Sequence, residues 1–517
     1  MKLARTLMIQ GTSSSVGKSA LVTGLCRLFA QDGYRVAPFK AQNMSLNAAV
    51  TRDGFEISRA QAVQAEAAAI EPTVQMNPIL LKPQGDSRSQ VIVMGRPLAA
   101  LEAREYYRHR TGFAEIVQNA LQELRAKHDL IIIEGAGSPV EINLKKYDLV
   151  NMRVAELADA PVLLVGDIDR GGIFAALLGT LMLLRPEERE RVKGLIVNKF
   201  RGDITLWHEG ERMLAERAGV PVLGTIPFIH NLRLAEEDAV ALDEGTAYLA
   251  QQAQKQATIE VVLIRLPYLS NYDEFDALAA EPEVHLSIVA HLDECPAQAD
   301  LIIIPGTKNT FFDLTWLWQQ GLAPYIRQQA KRGCAILGIC GGYQMLGERL
   351  SDPVGAETSA GSVMPGLNLL PIETVFASLS DKTTQQSSVT ILPETQRGMF
   401  THLSPEQTLR AYQIHVGRSM PIAAVDKGNA AFRLENDVLD GWLSADGWCV
   451  GCYLHGLFEN DSFRYAILQA LQNRHVNTPV IAEPMKFDRQ HEYDRLANVL
   501  RQHFNVEMLK AIIENEK

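Results

Sequence analysis

Long apolar runs are missing from this chain. None approaches the roughly 20 residues that a membrane-crossing helix requires, and the apolar stretch within Met1–Gln10 is too short for a signal sequence. The protein is therefore expected in the cytoplasm, with no membrane partner. Cysteine is sparse as well. The six residues, at positions 26, 295, 334, 340, 449 and 452, show no framework spacing, so disulfides are not expected. Positive charge is not in excess: the formal net charge of -11 argues against a nucleic-acid surface. It leaves room for a local group of Lys and Arg that binds a small anionic substrate. No internal repeat or low-complexity segment stands out.

What is present looks like an ordinary globular protein, with 47% hydrophobic and 21% charged residues. A chain of 517 residues is too long for one core and suggests two to four domains. Residues 1–230 alternate short β-branched runs with amphipathic stretches: Thr6–Gln10, Arg35–Phe39, Leu130–Glu134, Pro161–Gly166, Gly194–Asn198 and Val222–Ile226. Strands separated by helical patterns predict a parallel, doubly wound sheet. Residues 231–258, rich in Glu, Asp, Ala and Gln, read as a connector. A second α/β series runs over 259–480 through Ile259–Leu266, Leu301–Pro305 and Ala335–Ile339, and 481–517 read as a terminal helical tail.

The first chemical signal follows the first strand. Gly11-Thr12-Ser-Ser-Ser15-Val-Gly17-Lys18-Ser19 leads into a helical stretch. Strand, glycine loop, Lys-Ser and helix is the context of a phosphate-binding loop, whose backbone N–H groups cradle phosphate oxygens. Lys18 would reach the terminal phosphates and the Ser19 hydroxyl would ligate Mg2+. Five residues separate the two glycines, where the common loop has four. A Mg2+ site needs carboxylates at the same sheet edge. Glu134, ending Ile131-Ile-Ile-Glu134-Gly-Ala-Gly, and Asp167, in Val165-Gly-Asp167-Ile-Asp-Arg-Gly-Gly, are the candidates.

These motifs resemble the dethiobiotin-synthetase-like family of carboxylate-activating ATPases, in which the five-residue spacing is usual. The resemblance implies that ATP is used, that Lys40 faces the transferred phosphate and that Asn198 helps recognise adenine. Asn and Gln crowd the next segment: Gln42, Asn43, Asn47, Gln61, Gln64 and Asn77, with Arg59 and Lys82 nearby. Side-chain amides can pair with a substrate carrying many carboxylates and carboxamides. A solvated helix face accounts for the composition equally well.

The second signal is Ala335-Ile-Leu-Gly-Ile-Cys340-Gly-Gly-Tyr-Gln344, an apolar strand turning sharply into a helix. A cysteine on such an elbow is exposed at a sheet edge, and nearby backbone N–H groups can stabilise an oxyanion. Its partner would be His455, at the end of a strand 115 residues later. Cys-x-Gly-x-Gln after a strand with a distant His resembles the class I glutamine amidotransferases. By that resemblance Cys340 attacks the glutamine amide, His455 acts as base and then acid, and Gln344 with Ile304–Thr307 holds glutamine and its oxyanion. The common pattern has Glu two residues after the His. Here that position is Leu457, and the nearest acid is Glu459. Cys449-x-x-Cys452-x-x-His455 admits a rival reading as a metal site, with no evident fourth ligand.

An ATPase that activates carboxylates joined to a glutaminase implies amidation. The fold expected is therefore two doubly wound α/β domains, an N-terminal P-loop ATPase-like domain and a C-terminal class I glutamine amidotransferase-like domain. Whole segments, among them Phe39–Asn47, Arg59–Ala65, Met76–Pro83, Gly166–Gly172 and Tyr412–Gly417, resemble the corrinoid-amidating enzymes of cobalamin biosynthesis. The resemblance implies glutamine and adenosylcobyrinic a,c-diamide as substrates, with four side chains amidated. Two alternatives remain open: the sister enzyme that makes the a,c-diamide, and a regulatory ATPase with a degenerate amidotransferase-like module.

Overall fold

The computed structural model describes residues 3–84, 88–102, 105–106, 110–230, 232, 234, 257–422, 430–474 and 486–514. The connector expected at 231–258 lies almost wholly outside them. By internal contact the chain forms two compact units, and the division is not linear. Met1–Ser45, Glu56–Glu237 and Asp488–Lys517 make the first, while Leu46–Phe55 and Asp238–Phe487 make the second.

The first unit is built on strands too apolar to face water. All five residues of Leu130–Glu134 are buried, the pattern of a parallel strand covered on both faces. The strands are β1 (Arg5–Gly11), β2 (Val36–Phe39), β3 (Leu130–Glu134), β4 (Val162–Asp167), β5 (Val192–Phe200) and β6 (Val222–Pro227). Their spatial order is β6-β5-β4-β1-β3-β2, every pair parallel. Strand β1 stands between β3 and β4, with Ile9 opposite Glu134 and Gly11 opposite Val165. The loop after β1, Glu134 and Asp167 therefore share one carboxyl edge, where open α/β sheets bind ligands. Helix α1 (Lys18–Gln31) covers the sheet with Leu21, Val22, Leu25 and Phe29. Its Gly24 lets a terminal helix, Arg489–His503, lie close: a Cβ there would come 2.6 Å from Leu500 Cδ1. Salt bridges Arg27–Asp494 (2.6 Å) and Arg501–Asp32 (2.7 Å) flank that contact. The tail is thus part of the first unit's core.

The second unit repeats the principle with β7 (Ile259–Ile264), β8 (Val284–Val289), β9 (Leu301–Ile304), β10 (Ala335–Ile339), β11 (Trp442–Leu443) and β12 (Cys449–Cys452). The order is β8-β7-β9-β10-β12-β11, parallel except for the edge strand β11. Two four-stranded side sheets occupy most of Arg349–Asp440, with alternating burial in strands such as Ile372–Phe376.

Behind β7, the turn Tyr272–Phe275 and helix Asp276–Ala280 lead to Glu281. Arg464, with no exposed surface, grips this segment. It donates to Glu281 Oε1 at 2.5 Å, to the Phe458 carbonyl at 2.8 Å and to Asp461 Oδ1 at 2.8 Å. Removing one partner of a buried pair strands the other charge. Glu281→Ala is therefore expected to lose about 3–5 kcal/mol of stability, read as a fall in urea midpoint against the parent protein. A loss under about 1 kcal/mol, the size of an exposed pair, would contradict the reading.

Candidate active sites

The first site grows from the end of β1. The sheet continues one step past Gly11, because Thr12 N–H donates to the Val165 carbonyl at 2.9 Å. The chain then turns through two left-handed positions, Ser15 (φ 59°) and Gly17 (φ 93°). Gly17 has no alternative, since a Cβ would lie 2.2 Å from Asn198 Nδ2. That amide braces the loop instead, donating to the Val16 carbonyl at 2.8 Å. Lys199 Nζ holds the Ser15 carbonyl at 2.8 Å. Lys18 opens α1, and its ammonium bridges the Ser13 and Gly137 carbonyls at 3.0 and 3.2 Å. The loop thus runs from the end of β1 straight into the N-terminus of α1, an arrangement suited to phosphate.

Glu134 is 1% exposed. Its Oε1 accepts from Ser19 Oγ at 2.8 Å and Lys40 Nζ at 2.9 Å, and its Oε2 from Gln64 Nε2 at 2.5 Å. Burial alone would push this carboxyl up. The Lys40 charge and the three hydrogen bonds outweigh burial and hold it below the usual range. Asp167 ends β4, with Lys199 Nζ 3.1 Å from Oδ2 and the Asp169 N–H 2.9 Å from Oδ1. Ser19 and Glu134 are thus in contact and form an oxygen donor set of the kind Mg2+ prefers.

The amide-rich segment is neither a solvated helix face nor an open surface. Helix Arg59–Ala67 is buried at every position but one. Asn43 donates to Ser58 Oγ and Gln61 Oε1 at 2.5 and 3.3 Å, Gln61 to Gln64 at 3.4 Å, and Gln64 to Glu134. Asn77 donates to the Lys40 and Ile79 carbonyls at 3.1 and 3.0 Å. The amides form an internal relay ending on Glu134, because buried amides must satisfy one another when water cannot. Lys82 likewise pairs with Glu56.

The second site lies at the end of β10. Cys340 takes φ 52° and ψ −108°, a strained backbone for a residue with a Cβ. The glycines after it are forced by packing. A Cβ on Gly342 would sit 1.9 Å from the Ile304 carbonyl oxygen, and one on Gly341 would sit 2.5 Å from Thr307 Cγ2. The elbow therefore presses against the Ile304–Thr307 turn. Gln344 is buried and accepts from Thr310 Oγ1 at 2.9 Å. Thr310 N–H in turn donates to Glu357 at 2.8 Å, and burial pushes that carboxyl up to about 7.

His455 is 1% exposed and held on three sides. Its backbone pairs with Tyr412, whose ring stacks on the imidazole with centroids 5.2 Å apart. Its Nδ1 meets Glu274 Oε1 at 2.8 Å, while Glu274 Oε2 accepts from the Gly456 N–H at 2.9 Å. With Nδ1 committed, Nε2 is the ring nitrogen left for Cys340, whose thiol donates to the Ile414 carbonyl at 3.4 Å. Burial would push the imidazole down, but the Glu274 charge and the Cys340 sulfur outweigh it and raise the ring to about 10.

The acid beside the histidine is thus Glu274, whereas Glu459 sits in the turn Leu457–Glu459 that follows. Sequence spacing near His455 could not reveal Glu274, which precedes it by 181 residues. The available hint was an acidic Asp273-Glu274 in the loop after β7, at the same carboxyl edge as Cys340. The metal reading of Cys449, Cys452 and His455 fails on placement. Both cysteines lie in the core, where burial raises their thiols, and no three His, Cys, Asp or Glu gather as ligands among the described residues.

Two family models match the chain where these sites fall. Residues 7–241 match the CobQ/CobB/MinD/ParA nucleotide binding domain, and residues 260–463 match the CobB/CobQ-like glutamine amidotransferase domain. The two sites thus define a nucleotide-binding glutamine amidotransferase. Cobyric acid synthase from Dehalococcoides mccartyi strain CBDB1 is 47% identical over 517 residues, covering 99% of each chain. The same-named protein of Sorangium cellulosum is 47% identical over 99% of each chain, and that of Roseiflexus castenholzii 51% identical over 90% of this chain and 92% of its own. This chain belongs to the cobyric acid synthase family.

A test of the second site follows from its electrostatics. Glu274→Gln keeps the shape but removes the charge that holds the proton on His455. Glutamine hydrolysis should fall, and the alkaline limb of its pH profile should move down by about one unit or more. A profile identical to the parent's would show that Glu274 does not set the imidazole.

Proposed function

We propose that this protein amidates adenosylcobyrinic a,c-diamide at the b, d, e and g carboxylates, using ATP and glutamine, to give adenosylcobyric acid. The observation that carries this reading is the end-to-end similarity to cobyric acid synthases, with 99% of both chains aligned. Two intact sites support it. Among the described residues no helix is long and apolar enough to cross a membrane, and all six cysteines are free, which suits a cytoplasmic enzyme.

In the glutaminase, Cys340 sulfur attacks the glutamine amide carbon. The C–N bond breaks as the His455 imidazolium gives its proton to the leaving ammonia, and a thioester forms. Water, deprotonated by His455, then releases glutamate and restores the thiol. Gln344 and the Ile304–Thr307 turn hold the substrate, and Glu274 keeps His455 in the required tautomer and orientation.

In the synthetase, Gly11, Thr12, Ser15, Gly17 and Lys18 cradle the phosphates of ATP, and Asn198 stands beside them, where it would also serve adenine. A corrinoid carboxylate oxygen takes the γ-phosphoryl group, leaving ADP, and ammonia then displaces phosphate from the acyl phosphate. Lys40, anchored by Glu134, stabilises charge building on the transferred group. Ser19, Glu134 and Asp167 would hold Mg2+, which when bound neutralises charge on the phosphates.

The two sites should separate by mutation. Cys340→Ala is expected to abolish glutamine-dependent synthesis while sparing synthesis from ammonium salts. Lys18→Ala should remove both, by about 3 kcal/mol of barrier or more. Glutamine hydrolysis at the parent rate in Cys340→Ala would reject the nucleophile. With adenosylcobyrinic a,c-diamide, glutamine and Mg-ATP, mass spectrometry should show a stepwise ladder of four amidations. An untouched a,c-diamide, with cobyrinic acid gaining two amides, would instead identify the sister activity.

A further inference from the structure

Residues Leu46–Phe55 fall inside the stretch matched by the nucleotide-binding family model, yet they pack in the second unit. Their fastening is specific. Asn47 Oδ1 accepts from the backbone N–H of Asn271 at 2.7 Å, and Asn271 Oδ1 accepts from the backbone N–H of Ala48 at 2.8 Å. Both side chains are buried, at 1% and 3% exposure. At the far end, Gln386 Nε2 donates to the Val50 carbonyl at 2.7 Å.

Asn271 is no ordinary surface residue. It sits at φ 56°, ψ 36° and opens the turn Tyr272–Phe275. Its carbonyl accepts from the N–H of Glu274 itself at 3.3 Å. The preceding residue, Ser270, donates to the Gly306 carbonyl at 2.9 Å, and a Cβ on Gly306 would stand 2.8 Å from His455 Cε1. One short loop therefore carries the carboxylate, touches the oxyanion turn and is gripped by a segment from far upstream. A non-glycine left-handed residue persists only where its surroundings hold it, and asparagine tolerates that conformation better than most.

We propose that Asn47 and Asn271 form a positioning clasp for the glutaminase, through which the segment Leu46–Phe55 sets the place of Glu274 against His455. This rests on the function proposed above. The clasp touches neither glutamine nor the sulfur, so it acts on kcat rather than on glutamine KM. Residues 40–45, which include Lys40 and Asn43, run directly into this segment, and Glu56–Arg59 run out of it.

The test uses the full-length protein. Asn271→Gly keeps the left-handed backbone and its N–H but deletes the acceptor for Ala48, while Asn271→Asp keeps an acceptor oxygen. In Asn271→Gly, kcat for glutamine hydrolysis should fall about tenfold, short of the roughly 10²–10⁴-fold that a positioned acid–base group supplies in full, with glutamine KM little changed. The alkaline limb of its pH profile should move down as Glu274 loosens. The groups facing His455 are Glu274, Cys340, Tyr412, His415 and Asp440, and only Glu274 rides on the altered turn. Asn271→Asp, which keeps the acceptor, should restore the rate. Asn47→Ala against Asn47→Asp repeats the comparison from the other side of the clasp if Asn271→Gly folds poorly, as read by thermal unfolding. Parent-like kcat and pH profile in Asn271→Gly and Asn47→Ala overturn the clasp. Hydrolysis persisting in Cys340→Ala would instead overturn the function on which it rests.

Discussion

A carboxylate taken out of water has to be met at close range by cations or hydrogen-bond donors, and each unit of this protein is organised around one such group. Glu134 collects Ser19, Lys40 and Gln64, so the second residue of α1, the residue after β2 and a buried helix converge on the end of β3. Glu274 collects His455 and the Gly456 N–H. Neither acid could be moved without leaving an uncompensated charge or donor, a penalty of several kcal/mol. The reactive groups stand where they do because these two demands must be met.

The two demands differ in effect. Around Glu134 the partners are a permanent cation, an amide and a hydroxyl, so the carboxylate stays ionised before any nucleotide arrives. Around Glu274 the partner is an imidazole whose proton must travel during each glutaminase cycle. Burial opposes that proton and the carboxylate favours it, and the balance lies with the carboxylate. The same chemical group serves as a scaffold in one unit and as a tuning charge in the other.

Much of this was legible in the sequence. The near-continuous apolar runs ending in glycine turns announced parallel strands, and the turns carried Lys18, Glu134 and Cys340 at their ends. Periodicity sees what is local. It located His455 from its strand but could not find Glu274, whose pairing depends on the fold bringing the loop after β7 beside β12. Composition left the amides between Gln42 and Asn77 undecided between solvent and substrate, and the structure shows a third outcome, a buried relay. The side sheets between Arg349 and Asp440 were unreadable for a different reason. Their strands run from two to nine residues, and polar stretches such as Thr383–Ser388 hide the alternating burial that Ile372–Phe376 shows.

The placement of Leu46–Phe55 bears on how the molecule is assembled on the ribosome. That segment emerges about 220 residues before Asn271, counting from Asn47, at a rate that leaves it waiting some 10 to 40 seconds. The framework of the second unit is thus complete only when a segment made early meets a body made late. A gene cut between the halves would yield a downstream product lacking a piece of its own framework.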